Sequence, residues 1–504
     1  MSSSTWLTLA VALISLLLAR SVIDERIIRS KYKNVISVGP SGMFGTLIGT
    51  FQLLLGYRDF IQEGYEKHYG KLFRIPTLFT MTFVVTGHDL LEDVRKASDD
   101  QLSLYGSIKE GMQTDYTMEP HILDNPYHFR FVHLSLTRDL GGRFPELREE
   151  VITAFSELVP PTDDWTSFPA WLTGKSIVLR VTNKLFVGPP LCHDLDYNDI
   201  NDTYSDALVK TALIVGLTPD FLKPIVASTL YFYIPKTLKR AMKHVAPLVQ
   251  ERLEKERTFG KDWPGKPNDL LSWLMEKAPE SDKSVRAITI RLLATMFAAY
   301  RPASMALTQA LFDLATYPSY IPELRAEIEP IVKEKGITKE SINKMYKLDS
   351  FIKESLRLRG GGKSSMPRKV LKDFTFSDGN TVYTGSTIIA TGYAIHHDAR
   401  HYPDPDEFDG FRFARLREAE NDPVRYQMVS VGPTYMMFGN GRHACPGRFL
   451  VSALLKTMLA HVLMTYDVKL EQDDGVRPPD KWFTFAPAPN ETASLMFRKR
   501  ANLA

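Results

Sequence analysis

Residues 438–447 read FGNGRHACPG, from Phe438 to Gly447, and every other reading of this chain depends on them. They set Cys445 between glycines and a proline, with the basic His443 two positions earlier. A run without a breaker follows, GRFLVSALLKTMLAHVLMTYD, and reads as a helix starting at Cys445. A thiolate there faces the positive end of a helix dipole, which favours the charged form and lowers its pKa. Gly439, Gly441 and Gly447 let backbone N–H groups approach the sulfur, because glycine carries no side chain to hold them off. Such a cysteine is a metal ligand or a nucleophile.

The remaining composition narrows the choice. The chain has 504 residues, 44% hydrophobic and 24% charged, enough for one very large or two ordinary domains. No Gly/Ser linker, low-complexity stretch or internal repeat divides it. A net charge of +3 is too small for a nucleic-acid partner. The two cysteines, Cys192 and Cys445, provide no disulfide framework, and Cys192 in VGPPLCHD reads as a small buried filler. Helix-like periods dominate from Val151 onward, with β-like runs at Lys71–Val85 and Phe374–Ile389.

At the N-terminus, Trp6 to Ala19 is apolar apart from Thr8 and Ser15. With the small residues before it this makes roughly 18 membrane-compatible positions, near the lower bound for a span. Arg20, Arg26, Arg29, Lys31 and Lys33 follow and no basic residue precedes, which keeps the bulk of the chain cytosolic. The missing basic n-region and Arg20 at the would-be cleavage site argue against a cleaved signal peptide. The expected division is an anchor at 1–20, a basic linker and hinge at 21–50, and a catalytic domain at 51–504.

The pattern Phe438-x-x-Gly441-x-His443-x-Cys445-x-Gly447 resembles the heme-ligand loop of the cytochrome P-450 family, the heme-thiolate monooxygenases. The resemblance implies heme b with Cys445 as axial thiolate, which favours O–O cleavage, within a loop whose cofactor-binding residues are Phe438, Gly439, Gly441, His443 and Gly447. His443 fills the basic slot that faces a heme propionate. KESLRL carries Glu354 and Arg357 three residues apart on one helix face. With Arg412 in EFDGFRF they resemble the family's structural ionic knot behind the heme. Arg368, in SMPRKV, stands where the family sends a second arginine to a propionate.

The implied fold is mainly α with a small β-rich portion toward the N-terminus, preceded by one N-terminal transmembrane helix. The anchor resembles that of endoplasmic-reticulum members, with single-pass topology and a cytosolic catalytic domain. No flavin or nicotinamide fingerprint is present, so electrons are expected from a separate NADPH-dependent flavoprotein reductase. The expected protein is a monomer acting on a hydrophobic small molecule. Segments such as RVTNKLFVGPPLC and IHHDARHYPDPDEFDGFRF resemble the filamentous-fungal branch, whose members often oxidise terpenoids in secondary metabolism. His396 and His397 read as residues that pack or cap a turn. The resemblance is poor between Arg95 and Glu150, where no Trp occurs and Arg130, His133 or Arg138 are candidates for the propionates.

One stretch departs from the family. Ser284–Tyr317 is a long helix candidate whose centre, Met296 to Met305, aligns with the family's oxygen-binding groove. Ala298 and Ala299 supply the usual small pair. Arg301 stands where an acid or amide is expected, and Pro302 where a threonine is expected. Arginine is always protonated and proline has no hydroxyl. Either the groove opens by other means, with water, the substrate's hydroxyl or Ser304 carrying protons, or oxygen activation is altered. The second case implies a peroxide-dependent oxidase, an isomerase or a dehydratase, or lost catalysis. Met296, Phe297, Phe483 and Phe485 are further candidates for an apolar distal lining. The non-heme alternative, a membrane-anchored cysteine nucleophile using Cys445 and His443, suffers from poor geometry for a nucleophile–base pair.

Overall fold

The computed structural model describes residues 3–132, 139–230, 233–360, 365–472, 474–483 and 486–501, with backbone alone through residues 3–14. The chain is mostly helical. Its longest helix, Val285–Thr316, spans 32 residues. Ser284 caps it, its hydroxyl accepting from the Ala287 N–H at 3.1 Å, and Pro318 follows its last turn. This helix is apolar nearly all round, so it is buried on nearly all sides. Leu307, Ala310 and Phe312 share the main core with Leu356 of the Tyr346–Arg359 helix and with Leu455, Met458 and Leu459 of the Arg448–Thr465 helix. The helix Leu195–Gly216 also packs against it.

The β-like runs resolve into short strands. Lys71–Val85 contains Phe73–Ile75 and Thr82–Val85, paired antiparallel. Phe374–Ile389 contains Phe374–Thr375, Thr381–Val382 and Thr387–Ala390. The largest sheet has six strands in the order Ile36–Ser37, Phe73–Ile75, Thr82–Val85, Thr387–Ala390, Ser365–Val370, Leu102–Ser103. Two of its members therefore return from the second half of the chain, so the β-rich portion is not confined to the N-terminus. Period-2 patterning reveals a strand but not its distant partner. Phe83, Val85, Ile388 and Ala390 of this sheet form a second core with Tyr65 and Leu91.

A helix, Ser3–Lys31, covers the Trp6–Ala19 stretch. Among the described residues, the helix long and apolar enough to cross a membrane is Arg448–Thr465, and 67% of that segment is buried within the protein. It is a core helix.

Candidate active site

The Cys445 loop is built by turns. Gly439 and Gly441 take φ of +73° and +70°, where a side chain is strained, and a Cβ on Gly441 would lie 2.7 Å from Arg95 Cγ. A single 3₁₀ turn spans Gly441–His443, and the Cys445 N–H donates to the Phe438 carbonyl at 2.7 Å, closing the loop. The helix begins at Arg448, not at Cys445 as the unbroken run suggests. Pro446 and the capping Gly447 carry the chain from loop to helix. Burial pushes the Cys445 thiol up, against the opposing pull of the Gly447 and Arg448 N–H groups and the Arg448 guanidinium. Desolvation thus works against the dipole effect expected from the sequence.

A cavity of about 330 Å³ lies against Cys445. One wall is Phe438, Cys445, Pro446, Gly447, Leu450, Val451, Leu454 and Leu455. The other belongs to the Val285–Thr316 helix: Thr295, Ala298, Ala299, Pro302, Ala303 and Ala306. Ala298 and Pro302 are exposed, although the turns on either side of them are largely buried. The helix is continuous through Pro302.

The other groove residues face elsewhere. Arg301 donates through Nη1 to Asp206 Oδ1 on the Leu195–Gly216 helix at 2.6 Å. Next to it Tyr300 donates to Asp202, which also pairs with Lys175 at 2.6 Å. Ser304 is fully buried and donates to the Tyr300 carbonyl at 2.8 Å, away from the cavity wall. Met296 is core, and Phe297 packs against a separate cluster with Ile290 and Leu293. The side chain of Phe483, Phe485, the side chain of Arg130, His133 and Arg138 lie outside the described residues.

Behind the cavity, Glu354 and Arg357 are fully buried and bidentate, at 2.7 and 2.8 Å. Arg412 Nε adds a bond to Glu354 at 3.1 Å, and Arg357 also donates to the carbonyls of His396 and Pro405. His396 is sealed from solvent. Its Nδ1 donates to the Arg357 carbonyl, and its Nε2 accepts from the Met436 N–H at 3.0 Å. It ties the ion pair to the Cys445 loop, and burial pushes it down to about 3. His397 pairs with Asp406.

Arg368 is 4% exposed, and among the described residues no carboxylate pairs with it. It donates to its neighbour Pro367 carbonyl, and burial lowers it to about 10. His443 is held by Asp99 at 2.6 Å. An apolar slot between a half-buried thiol and two alanines, with a buried guanidinium outside the slot that no carboxylate contacts as an ion pair among the described residues, fits a metal macrocycle that carries acidic side groups. Cys192 is fully buried, its thiol pushed up to about 11, beside a Glu150 carboxylate already bonded to Arg180 and His193.

The sequence reading missed Thr295, which lies three residues before Ala298 on the same helix face. Phe129, Val132 and Phe186 come to the wall from helices distant in sequence and left no local signal.

A thiolate-ligated heme enzyme is the class that this fold and slot define. The comparisons agree. The cytochrome P450 family model matches residues 40–494, and the chain belongs to that family. It is 38% identical over 467 residues to cytochrome P450 monooxygenase 151 of Postia placenta, covering 92% of this chain and 93% of that protein. It is 31% identical to cytochrome P450 monooxygenase paxQ of Penicillium paxilli, covering 88% of this chain and 87% of the relative. A retinoic acid-bound cyanobacterial CYP120A1 shares the fold, with TM-score 0.69, 17% identity, and coverage of 92% of this chain and 100% of that one. The protein is a cytochrome P450 monooxygenase whose heme is held by a cysteine thiolate.

Proposed function

We propose that this protein oxidises a hydrophobic small molecule, a terpenoid of secondary metabolism, using O2 and electrons from an NADPH-dependent flavoprotein reductase. The observation that carries the reading is the apolar cavity bounded by Cys445 on one side and by Ala298 and Ala299 on the other. Cys445 would hold the heme iron through its thiolate, and the Gly439 and Gly441 turns present it. Arg368 would receive one propionate, and His443, already paired with Asp99, would help hold the second. Glu354, Arg357 and Arg412 hold the loop from behind. When bound, the heme supplies oxygen activation; the chain supplies the thiolate, the dry pocket and the substrate pose.

Residues 1–20 form an endoplasmic-reticulum anchor, 21–50 a linker, and 51–504 a monomeric catalytic domain facing the cytosol. Exposed Met43, Phe44, Ile48, Phe51 and Leu55, at the end of the linker and just beyond it, support membrane contact. Arg442 and Arg448 add charge to the face the reductase meets.

The test is reconstitution of the full-length protein in vesicles with such a reductase and a panel of terpenoids. Oxygenated product that requires both NADPH and O2 supports the proposal. A second reading has its own observation: with Arg301 turned away and Ser304 buried, neither brings a proton to the cavity wall. Product with hydrogen peroxide but none with NADPH selects that reading, a heme-thiolate enzyme with altered oxygen activation.

A further inference from the structure

The helix Arg448–Thr465 stands between two cavities. Leu450, Val451, Leu454 and Leu455 line the Cys445 slot, whereas Phe449, Ser452, Ala453 and Lys456 line a second cavity of about 320 Å³. The second set falls at i, i+3, i+4 and i+7, one stripe of the helix. Among the described residues, none lines both cavities.

The charges around the second cavity do not cancel. Lys339, Arg417 and Lys456 line it against Asp349 as its one acid among the described residues, so three cations face one anion and two positive charges remain. Lys456 and Asp349 are each 6% exposed, and Lys456 Nζ meets Asp349 Oδ1 at 3.0 Å. Asp349 Oδ2 accepts from the Met428 N–H at 2.6 Å, so both carboxylate oxygens are taken. The ammonium carries three donors and is engaged by this one partner among the described residues.

Lys339 and Arg417 are half-buried, and neither has a carboxylate partner among the described residues. Glu340, beside Lys339 in sequence, pairs with Lys335 and Lys344 instead. The Arg417 guanidinium lies 4.9 Å from the centre of the Tyr346 ring, which steadies it at the cavity. Ser452 is 5% exposed, and its hydroxyl has no hydrogen-bond partner among the described residues. Leu140, Ile342, Phe449 and Ala453 supply apolar wall. Buried polar groups and charges take partners, and here the missing partner is an anion with an apolar body.

We propose that this second cavity binds a phosphate monoester whose body is a single apolar ring. A phosphate monoester is close to a dianion at neutral pH, so it answers both surplus charges, where a carboxylate answers one. Lys456 and Ser452 donate to it from the Arg448–Thr465 helix, and Lys339 and Arg417 close over it. The ring packs on Phe449 and Ile342. The volume stands at the small end of ligand cavities, which limits the body to about one ring. The site uses no residue assigned above to the heme, the substrate or the reductase.

The test is isothermal titration calorimetry on the purified full-length holoprotein with phenyl phosphate, inorganic phosphate and phenol. Phenyl phosphate is expected to bind one per protein and about tenfold tighter than either fragment. The double variant Lys339→Gln, Arg417→Gln breaks no ion pair among the described residues, so its fold is not at risk. It is expected to bind phenyl phosphate about tenfold more weakly, with the thiolate–heme band unchanged. Dioctanoyl phosphatidate separates the sources: competition with phenyl phosphate assigns the site to a lipid headgroup, and its absence assigns it to a soluble ester. Wild type that binds phenyl phosphate no tighter than inorganic phosphate overturns the inference, as does full affinity surviving in the double variant. A double variant that loses affinity for the reductase alone would assign these cations to a protein partner and also overturns it.

Discussion

Arg301 reaches out of the oxygen-side wall and donates to Asp206 at 2.6 Å, joining the Val285–Thr316 helix to the Leu195–Gly216 helix. An arginine in a groove that usually carries an acid is thereby accounted for. Its charge is answered on a neighbouring helix and does not enter the cavity. Pro302 and Ala298 remain facing it.

Arg301→Ala is therefore expected to leave the ratio of product to NADPH consumed within about twofold of wild type. Both partners are partly exposed, at 29% and 46% of the side chain, so the stability loss should stay below about 1 kcal/mol. Product yield and thermal melting check both. A collapse in coupling would place Arg301 in proton delivery.

Glu354 is the opposite case. Its carboxylate receives Arg357 and Arg412 with none of the three in solvent. Glu354→Gln is expected to cost about 3–5 kcal/mol, because it leaves buried guanidinium charge uncompensated. Urea unfolding should show this, with heme content falling as the Cys445 loop loses its support. Wild-type stability in the variant would reduce the knot to an incidental contact.

His396 predicts a pH dependence. Its pKa falls from 6.5 to about 3 on folding, so the unfolded chain binds the extra proton between those values. Its contribution is fully present above about 6.5 and is lost as pH falls toward 3. His396→Gln, which keeps a donor and an acceptor, should flatten the decline in stability across pH 3–6.5. Urea midpoints at pH 4, 5.5 and 7 measure it, and an unchanged slope would assign the acid sensitivity to other groups such as the buried His128 and the half-buried His461.

Much of this site was legible because it is written locally. The Gly439–Gly447 turns, the Glu354–Arg357 spacing and the Ser284–Tyr317 helix are short-range patterns, and the helix was found at Val285–Thr316. The helix start after Cys445 was misplaced because Pro446 and Gly447 delay it, a matter of backbone conformation within three residues. The partners of Arg301 and His443, Asp206 and Asp99, are set by packing across 95 and 344 positions, and no spacing rule reaches that far.

Deleting residues 1–20 is expected to move the protein from the membrane pellet to the supernatant after carbonate extraction, with its heme retained. A pellet that persists unchanged would shift membrane attachment to the exposed Ile48, Phe51 and Leu55 face.

The central claim is that Cys445 holds the heme. The direct measurement is the carbon-monoxide difference spectrum of the reduced protein, for wild type and Cys445→Ala. The account predicts a strongly red-shifted Soret band in wild type and its loss in the variant, with the fold intact by circular dichroism. A well-folded wild type without the band, or a Cys445→Ala variant that keeps it, would contradict the account.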